Sequence, residues 1–215
     1  MIDFTSYNLV TKEEDDRAYQ FQKSVLSDDA LSDEEKVIKI SILLEEYIVD
    51  HETPLKILYD FIQESDSLKV LILGAYWELY CPIFEPNPFL CKLKQKFDEY
   101  DHETKAVIRL IEALEIFFRG GEKRTHIIKA KRLLQESISL YDHLFTPYYF
   151  MAIIDSQKVD KNWIIKGLSK IEKLMSHEEY LEMDMQEEIS YEWYYKIYIT
   201  RTIQTRRAVY LYAEM

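Results

Sequence analysis

Glu99 and His102 have the residue types and the spacing of a metal-binding motif. They stand three positions apart, which places a carboxylate and an imidazole on one face of a helix. A carboxylate-bridged di-iron site needs two such Glu-x-x-His pairs and two further glutamates on facing helices. None of the other four histidines follows a glutamate at this spacing. The sequence therefore predicts neither a bound metal nor another cofactor.

Nucleophilic and phosphate-binding motifs are absent from the sequence. There is no Gly-x-Ser-x-Gly and no Ser-x-x-Lys, and the four glycines, at positions 74, 120, 121 and 167, cannot form a phosphate-binding loop. Cys81 and Cys91 both stand among apolar residues, which predicts packing cysteines rather than a thiol nucleophile. A disulfide between them is geometrically possible, but without an export signal two reduced thiols are favoured. We therefore expect a protein that is not an enzyme.

Composition predicts a folded, helical and acidic protein. The chain has 215 residues, of which 47% are hydrophobic, with only 4 Gly and 5 Pro and a net charge of −12. So negative a chain is not expected to bind nucleic acid, because phosphate contacts need Lys and Arg. The longest segment without a charged residue, His143–Ile154, is too short to span a bilayer. The N-terminal residues Met1–Thr5 do not resemble a signal peptide, so we expect a cytoplasmic protein without membrane contact.

The negative charge is concentrated in the first third of the chain. Residues 1–70 carry 17 acidic and 7 basic side chains, whereas residues 71–215 carry 22 and 20. The acids stand in runs, at Glu13–Asp16, Asp33–Glu35 and Glu45–Glu46. One interpretation is a solvated helix face with acids near helix N-termini, where the helix dipole favours them. The other is a docking surface for a basic protein, with Glu34, Glu45 and Glu46 as contact residues.

A basic segment later in the chain has two similar interpretations. It consists of Lys123, Arg124, Lys129, Lys131 and Arg132, with Glu122 and Glu136 beside it. On an amphipathic helix these residues form a solvated face. Alternatively, they contact a phosphate group or an acidic protein.

Helix start signals recur along the whole chain. Ser32 and Glu35 form a capping box, Thr53-Pro54 and Asn87-Pro88 each join a cap to a first-turn proline, and Asp66 or Ser67 caps another helix. Apolar periodicity predicts further helices over 11–26, 104–119, 124–141, 145–156 and 161–175. Gly120-Gly121 is expected to end the helix over 104–119 in a left-handed turn. The segment Cys81–Pro88, with three of the five prolines, is the one long irregular connection.

These elements predict an all-α fold of stacked antiparallel helix pairs. Nine or ten helices are expected, with no confident strand, as a repeat solenoid or an irregular helical bundle. We expect one domain over residues 1–215. Its parts are an acidic N-terminal part at 1–70, a repeat-like part at 66–175 and an aromatic C-terminal cap at 176–215.

The repeat-like part resembles the tetratricopeptide repeat. Val70, Leu73, Gly74 and Trp77 match the first helix of that family's repeat, Ala130, Leu134 and Ser137 match the second, and Tyr148, Met151 and Ala152 fit a following first helix. The match departs from the family pattern at Asp155, where an aromatic residue is expected, and at the Cys81–Pro88 connection, which breaks the period. The resemblance implies a superhelix with a concave surface for peptides or protein segments, and no catalysis.

The leading functional hypothesis is a non-catalytic helical-repeat protein that binds another protein. The chain has 17 tyrosines, a residue type enriched at interfaces. Tyr148, Tyr149 and the Tyr191–Tyr198 group are the candidate contact residues among them. One form of the hypothesis is a bacterial immunity protein or antitoxin that neutralises a basic partner. The alternatives are a tetratricopeptide-type regulator that senses a peptide and, less favoured, an all-helical enzyme.

Overall fold

The computed structural model describes residues 12–46, 52–80, 82, 84–120, 123–154 and 159–170. Within these segments the chain forms α helices and one short 3-10 helix, and no strand, as the sequence predicts. The helices are α1 (Lys12–Leu26), α2 (Asp33–Glu46), α3 (Glu52–Glu64), α4 (Leu68–Tyr80), α5 (Pro88–Gln95), the 3-10 helix (Phe97–Glu99), α6 (His102–Gly120), α7 (Arg124–Leu140), α8 (Phe145–Ile153) and α9 (Lys161–Leu168). The predicted cap at 176–215 lies outside the described residues.

Side-chain caps start several helices where the sequence predicts them. The Ser32 N–H donates to Glu35 Oε2 across 2.7 Å, and the Glu35 N–H donates to Ser32 Oγ across 3.3 Å. This reciprocal pair is the predicted capping box of α2. Asn87 caps α5 by accepting the Leu90 N–H on Oδ1 at 3.0 Å, and Ser67 accepts the Val70 N–H at the start of α4.

Helix ends differ more from the prediction. The helix that begins at Pro88 ends at Gln95, and the separate 3-10 helix follows it. In α9 the last turn closes at Leu168, because the Ser169 hydroxyl donates to the Lys166 carbonyl and the Lys170 N–H donates to the Gly167 carbonyl. α6 ends at Gly120, as predicted; Gly120 itself is not left-handed, and Gly121 lies outside the described residues.

The core is built around α4. Every residue from Val70 to Leu79 is buried, because α4 contacts α2, α3, α5 and α6. A helix that is apolar on all sides is expected at such a central position. Gly74 allows the closest approach, since a Cβ there would lie 2.7 Å from Ile62 Cγ2 and 3.1 Å from the Phe89 ring.

The second half of the described chain consists of packed neighbouring helices. α6 and α7 share the most extensive interface, and α8 packs on both α7 and α9. The connection from Gly120 to Arg124 is short, so α6 and α7 form an antiparallel pair. The buried Ser137 hydroxyl of α7 donates to the Ala106 carbonyl of α6 at 2.7 Å. No helix in the described part of the chain is long and apolar enough to cross a membrane.

A buried ionic network holds the connection between α4 and α5. Glu78 in α4 accepts hydrogen bonds on Oε1 from the Phe84 N–H, at 2.7 Å, and from Arg119 Nη2, at 3.0 Å. Arg119 also donates to the Phe84 carbonyl. One turn earlier in α6, Glu115 accepts the Asn87 N–H at 3.3 Å. The irregular segment is therefore fixed to α4 and α6 by charged hydrogen bonds, which are stronger than neutral ones.

Candidate functional site

An acidic surface forms where the starts of α2 and α4 meet. Ser67 Oγ, at the start of α4, donates to Glu34 Oε1, in the first turn of α2, across 2.6 Å. This bond joins two helix starts that are 33 positions apart in sequence. The acidic surface comprises Asp33, Glu34, Glu35, Glu64 and Asp66, of which Glu35, Glu64 and Asp66 are exposed and Asp33 and Glu34 are half-buried.

Hydrogen bonds keep two carboxylates of the acidic surface ionised. The bond from Ser67 lowers the pKa of Glu34 below its usual value, against a smaller opposing effect of burial. The Ser32 backbone and hydroxyl bonds lower the pKa of Glu35. The cations Lys69 and Lys39 add smaller effects in the same direction. Because both carboxyls bind protons less readily than usual, the surface stays negative at neutral pH.

The predicted contact residues on α2 stand at its two ends. Glu34 lies in the first turn of α2, whereas Glu45 and Glu46 are its last two residues. At 1.5 Å of rise per residue, the two ends are about 16–18 Å apart. The side chains of Glu45 and Glu46 are outside the described residues, so their contribution stays a prediction.

The structure places Tyr148 and Tyr149 in the core rather than on a surface. Tyr148 is fully buried, and its ring lies 6.2 Å from the Trp163 ring. Tyr149 is 7% exposed and packs edge-on to Phe150. Neither side chain is accessible to a partner in this conformation. The Tyr191–Tyr198 group lies outside the described residues.

A chain of alternating charges crosses α5, α6 and α7. Lys94 Nζ lies 2.6 Å from Glu112 Oε1, and Arg109 Nη1 lies 2.7 Å from Glu112 Oε2. Glu136 then bridges two arginines, with Arg109 Nε at 3.3 Å and Arg132 Nε at 2.9 Å. The chain contains three cations and two anions, and both of its ends are cations.

Three of these residues, Arg109, Glu136 and Arg132, line an open groove of about 430 Å³ between α6 and α7. Its lining includes Phe97, Arg109, Arg132, Gln135, Glu136 and Leu140, and we call it the α6–α7 groove. The Arg109 guanidinium stacks 4.3 Å from the centre of the Phe97 ring. Arg109 is therefore held in place on three sides, by Glu112, Glu136 and Phe97. Arg132 is not held in this way, since 80% of its side chain is accessible to solvent.

The pKa of Glu112 reflects the two cations beside it, Lys94 and Arg109. Burial alone would raise the pKa of this carboxyl. The hydrogen bonds from Lys94 and Arg109, with the positive charges of both, outweigh burial and hold the pKa below its usual value. Glu112 is therefore ionised at neutral pH and fixes both cations.

The outer face of α7 extends the groove towards the start of that helix. Arg124, Ile128 and Arg132 follow one another at four-residue spacing, and Lys129 is exposed beside them. Ile128 is 59% exposed, more than any other large hydrophobic residue in the described segments. The basic segment identified in the sequence thus presents an apolar side chain between arginines.

The candidate residues for metal or thiol chemistry do not form a site. Glu99 and His102 are exposed, and the described residues contain no group of three or more side chains suited to bind a metal ion. Cys91 is a free, exposed thiol on α5, so the prediction that it packs in the core is wrong. The reason is that the helix places it on the face opposite Phe89 and Leu93, which are buried. Cys81 is not among the described residues.

Comparison with known proteins gives no match: no protein-family model, no curated protein and no solved structure is similar to this chain. The tetratricopeptide resemblance accordingly stays a prediction. The geometry and charge of the acidic surface and of the α6–α7 groove are the basis for a functional proposal.

Proposed function

We propose that this chain is a non-catalytic protein-binding module that holds a basic partner protein on its acidic surface. An immunity protein or antitoxin acting in the cytoplasm is the concrete form of the proposal. The observation that carries it is the Glu34–Ser67 hydrogen bond, which brings the acidic first turn of α2 to the start of α4, next to Glu64 and Asp66. Acids from the first turn of α2, from the end of α3 and from the segment between α3 and α4 thereby contribute to one negative area.

Charge on this surface suits recognition of a basic protein. Opposite charges across an interface raise the rate of association and select the partner, and salt weakens the effect. Glu34 and Glu35 retain their charge through hydrogen bonds that a partner does not need to break. A rigid array of carboxylates also loses less conformational freedom on binding than a mobile one.

Capture from the lysate of the source cell, at low and at high salt, tests the proposal. We expect the full chain to retain one basic protein in a one-to-one complex at low salt and to release it as salt rises. The triple variant Asp33→Asn, Glu64→Gln, Asp66→Asn should lose the complex, because it removes three charges of the acidic surface. Glu34→Gln should weaken the complex while keeping an oxygen that accepts the Ser67 hydroxyl.

A matched control removes equal charge elsewhere. Asp98, Glu99 and Asp160 are exposed acids outside the acidic surface, and their triple amide variant should retain the partner. Equal loss in both triple variants would show a general effect of net charge and would contradict the proposed surface. The proposal would also be contradicted if the partner were retained at high salt and by the first triple variant.

A peptide-sensing regulator of the tetratricopeptide type is the alternative. Burial of Val70, Leu73, Gly74, Ala130 and Leu134 favours it, because the repeat resemblance needs these positions in the interfaces between helices. The size of the partner distinguishes the two functions. A short peptide, rather than a folded basic protein, would favour the regulator.

A further inference from the structure

We propose that the outer face of α7, together with the α6–α7 groove, binds an acidic segment of another protein chain. This surface is separate from the acidic surface and opposite to it in charge. The inference does not depend on the proposed function.

The first argument is that the chain of alternating charges has one more cation than anions. The chain from Lys94 through Glu112, Arg109 and Glu136 ends on Arg132 and carries one excess positive charge. A carboxylate from a ligand would continue the alternation. Arg109 cannot supply the contact, because Glu112, Glu136 and the Phe97 ring already hold it. Lys94, the cation at the other end, is not among the residues that line the groove, so the ligand carboxylate is assigned to Arg132.

The second argument is the hydrogen-bonding capacity of Arg132. A guanidinium has five N–H donors. Its Nε donates to Glu136, and within the described segments its two Nη groups donate to no other residue. With four-fifths of the side chain accessible, this Nη edge can donate two hydrogen bonds to one carboxylate. Glu136 contacts only the Nε side of the guanidinium, so the Nη edge stays open to a ligand.

The third argument is the exposed apolar side chain between two arginines. Ile128 lies one turn before Arg132 and one turn after Arg124, all on the outer face of α7. Arg124 and Arg132 are eight residues apart, which is about 12 Å along a helix. An extended peptide covers that distance in three or four residues. The expected ligand therefore has two acidic residues three or four positions apart, with an apolar residue between them.

An acidic peptide segment fits this surface better than a small acid does. The groove is open, so a small molecule would leave much of its own surface in water. A peptide that continues along α7 also covers Ile128, and apolar burial adds about 25 cal/mol per Å². Nucleic acid is disfavoured by the net charge of −12.

Selection from a library of random dodecapeptides displayed on phage, against the full immobilised chain at low salt, tests the inference. We expect enrichment of peptides with two acids three or four positions apart and an apolar residue between them. A fluorescent synthetic copy of an enriched peptide should bind, with anisotropy as the readout. Arg132→Glu should raise its Kd about tenfold or more, because a charged hydrogen bond is lost and a repulsion is gained.

Further variants separate the parts of the surface. Arg124→Glu and Ile128→Ser should each weaken the peptide, whereas Lys161→Glu, an equal change of charge on an exposed residue of α9, should not. All four positions are exposed, so the variants should fold, and circular dichroism confirms this. A library that yields no peptide, yields basic peptides, or yields peptides that bind Arg132→Glu as well as wild type would overturn the inference. Loss of binding in Lys161→Glu would overturn it too.

Discussion

Arg119 Nη2 lies 3.0 Å from Oε1 of Glu78, and the Glu78 side chain is completely buried in α4. The pair connects the central helix to the end of α6. Through the Phe84 N–H and carbonyl it also fixes the segment that leads to α5. Removal of one partner of a buried ion pair leaves a charge in a medium that solvates it poorly.

Substitution of Arg119 is therefore expected to destabilise the fold severely. Arg119→Ala should lower the free energy of unfolding by about 3–5 kcal/mol, as for other broken buried pairs. Glu78→Gln should have a smaller effect, because its amide oxygen still accepts the Phe84 N–H. Urea unfolding followed by tryptophan fluorescence measures both. Wild-type stability in Arg119→Ala would show that the pair does not support the connection.

Acid should lower the stability of the folded protein through protonation of Glu112. Its pKa is lower in the folded protein than in the unfolded chain, so its stabilising effect is complete above the unfolded value of about 4.3. The effect is lost as pH falls through the lower, folded pKa. At pH 7, Glu112→Gln should lower the free energy of unfolding by about 1–3 kcal/mol.

The difference between Glu112→Gln and wild type should shrink as the pH falls below the unfolded value of about 4.3, because the unfolded chain then binds a proton that the folded carboxyl does not. Urea unfolding at a series of pH values measures this difference. Glu99→Gln, a change of an exposed acid, is the matched control and should show no such trend. A constant difference for Glu112→Gln across the acid range would contradict the coupling of Glu112 to Lys94 and Arg109.

The capping box of α2 should contribute measurably to stability. Ser32→Ala removes the acceptor for the Glu35 N–H and should lower the free energy of unfolding by about 1 kcal/mol. Ser24→Ala, at an exposed position inside α1, should stay within about 0.5 kcal/mol of wild type. Thermal unfolding compares the two. Equal effects would show that the cap is not what matters at Ser32.

Tyr148 should behave as a core residue. Tyr148→Ala is expected to lower the free energy of unfolding by about 3–5 kcal/mol, because it leaves a large cavity beside Trp163. Tyr148→Phe should lose only about 0.5–1.5 kcal/mol, since it removes one hydrogen bond, of 3.2 Å, to the Asp142 carbonyl. Partner affinity should be unchanged in Tyr148→Phe. Stable protein with lost partner binding would instead restore Tyr148 as a contact residue.

Local signals in the sequence predicted the helices and several of their starts. Thr53, expected to cap α3, is instead the second residue of that helix, because α3 begins at Glu52. Ser32 with Glu35, and Asn87 with Pro88, act within one helical turn, so the sequence alone predicts these caps. Composition and apolar periodicity also predicted an all-α chain of packed helix pairs, because both are properties of the local sequence. The end of α9 was less predictable, because Ser169 and Lys170 close its last turn through bonds that have no strong sequence pattern.

The candidate sites depended on contacts between distant residues. Two of the ion pairs, Arg109 with Glu112 and Arg132 with Glu136, have the three- or four-residue spacing of a helix and can be predicted from the sequence. The bond from Arg109 to Glu136 exists only because α6 packs on α7, and the one from Ser67 to Glu34 only because α4 packs near α2. Interface statistics favoured Tyr148 and Tyr149 as contacts. The apolar surroundings of Phe145–Ile153 were the better guide to their burial.

The α6–α7 interface has a consequence for the order of folding. The two helices are neighbours in sequence, so their contacts close a short loop and lose little chain entropy. Contacts of this kind form early, and proteins rich in them fold rapidly. We expect a truncation in this interface, such as Leu134→Ala, to slow refolding in stopped-flow experiments. Val25→Ala in α1 should instead accelerate unfolding, because the N-terminal helices join a pair that has already formed.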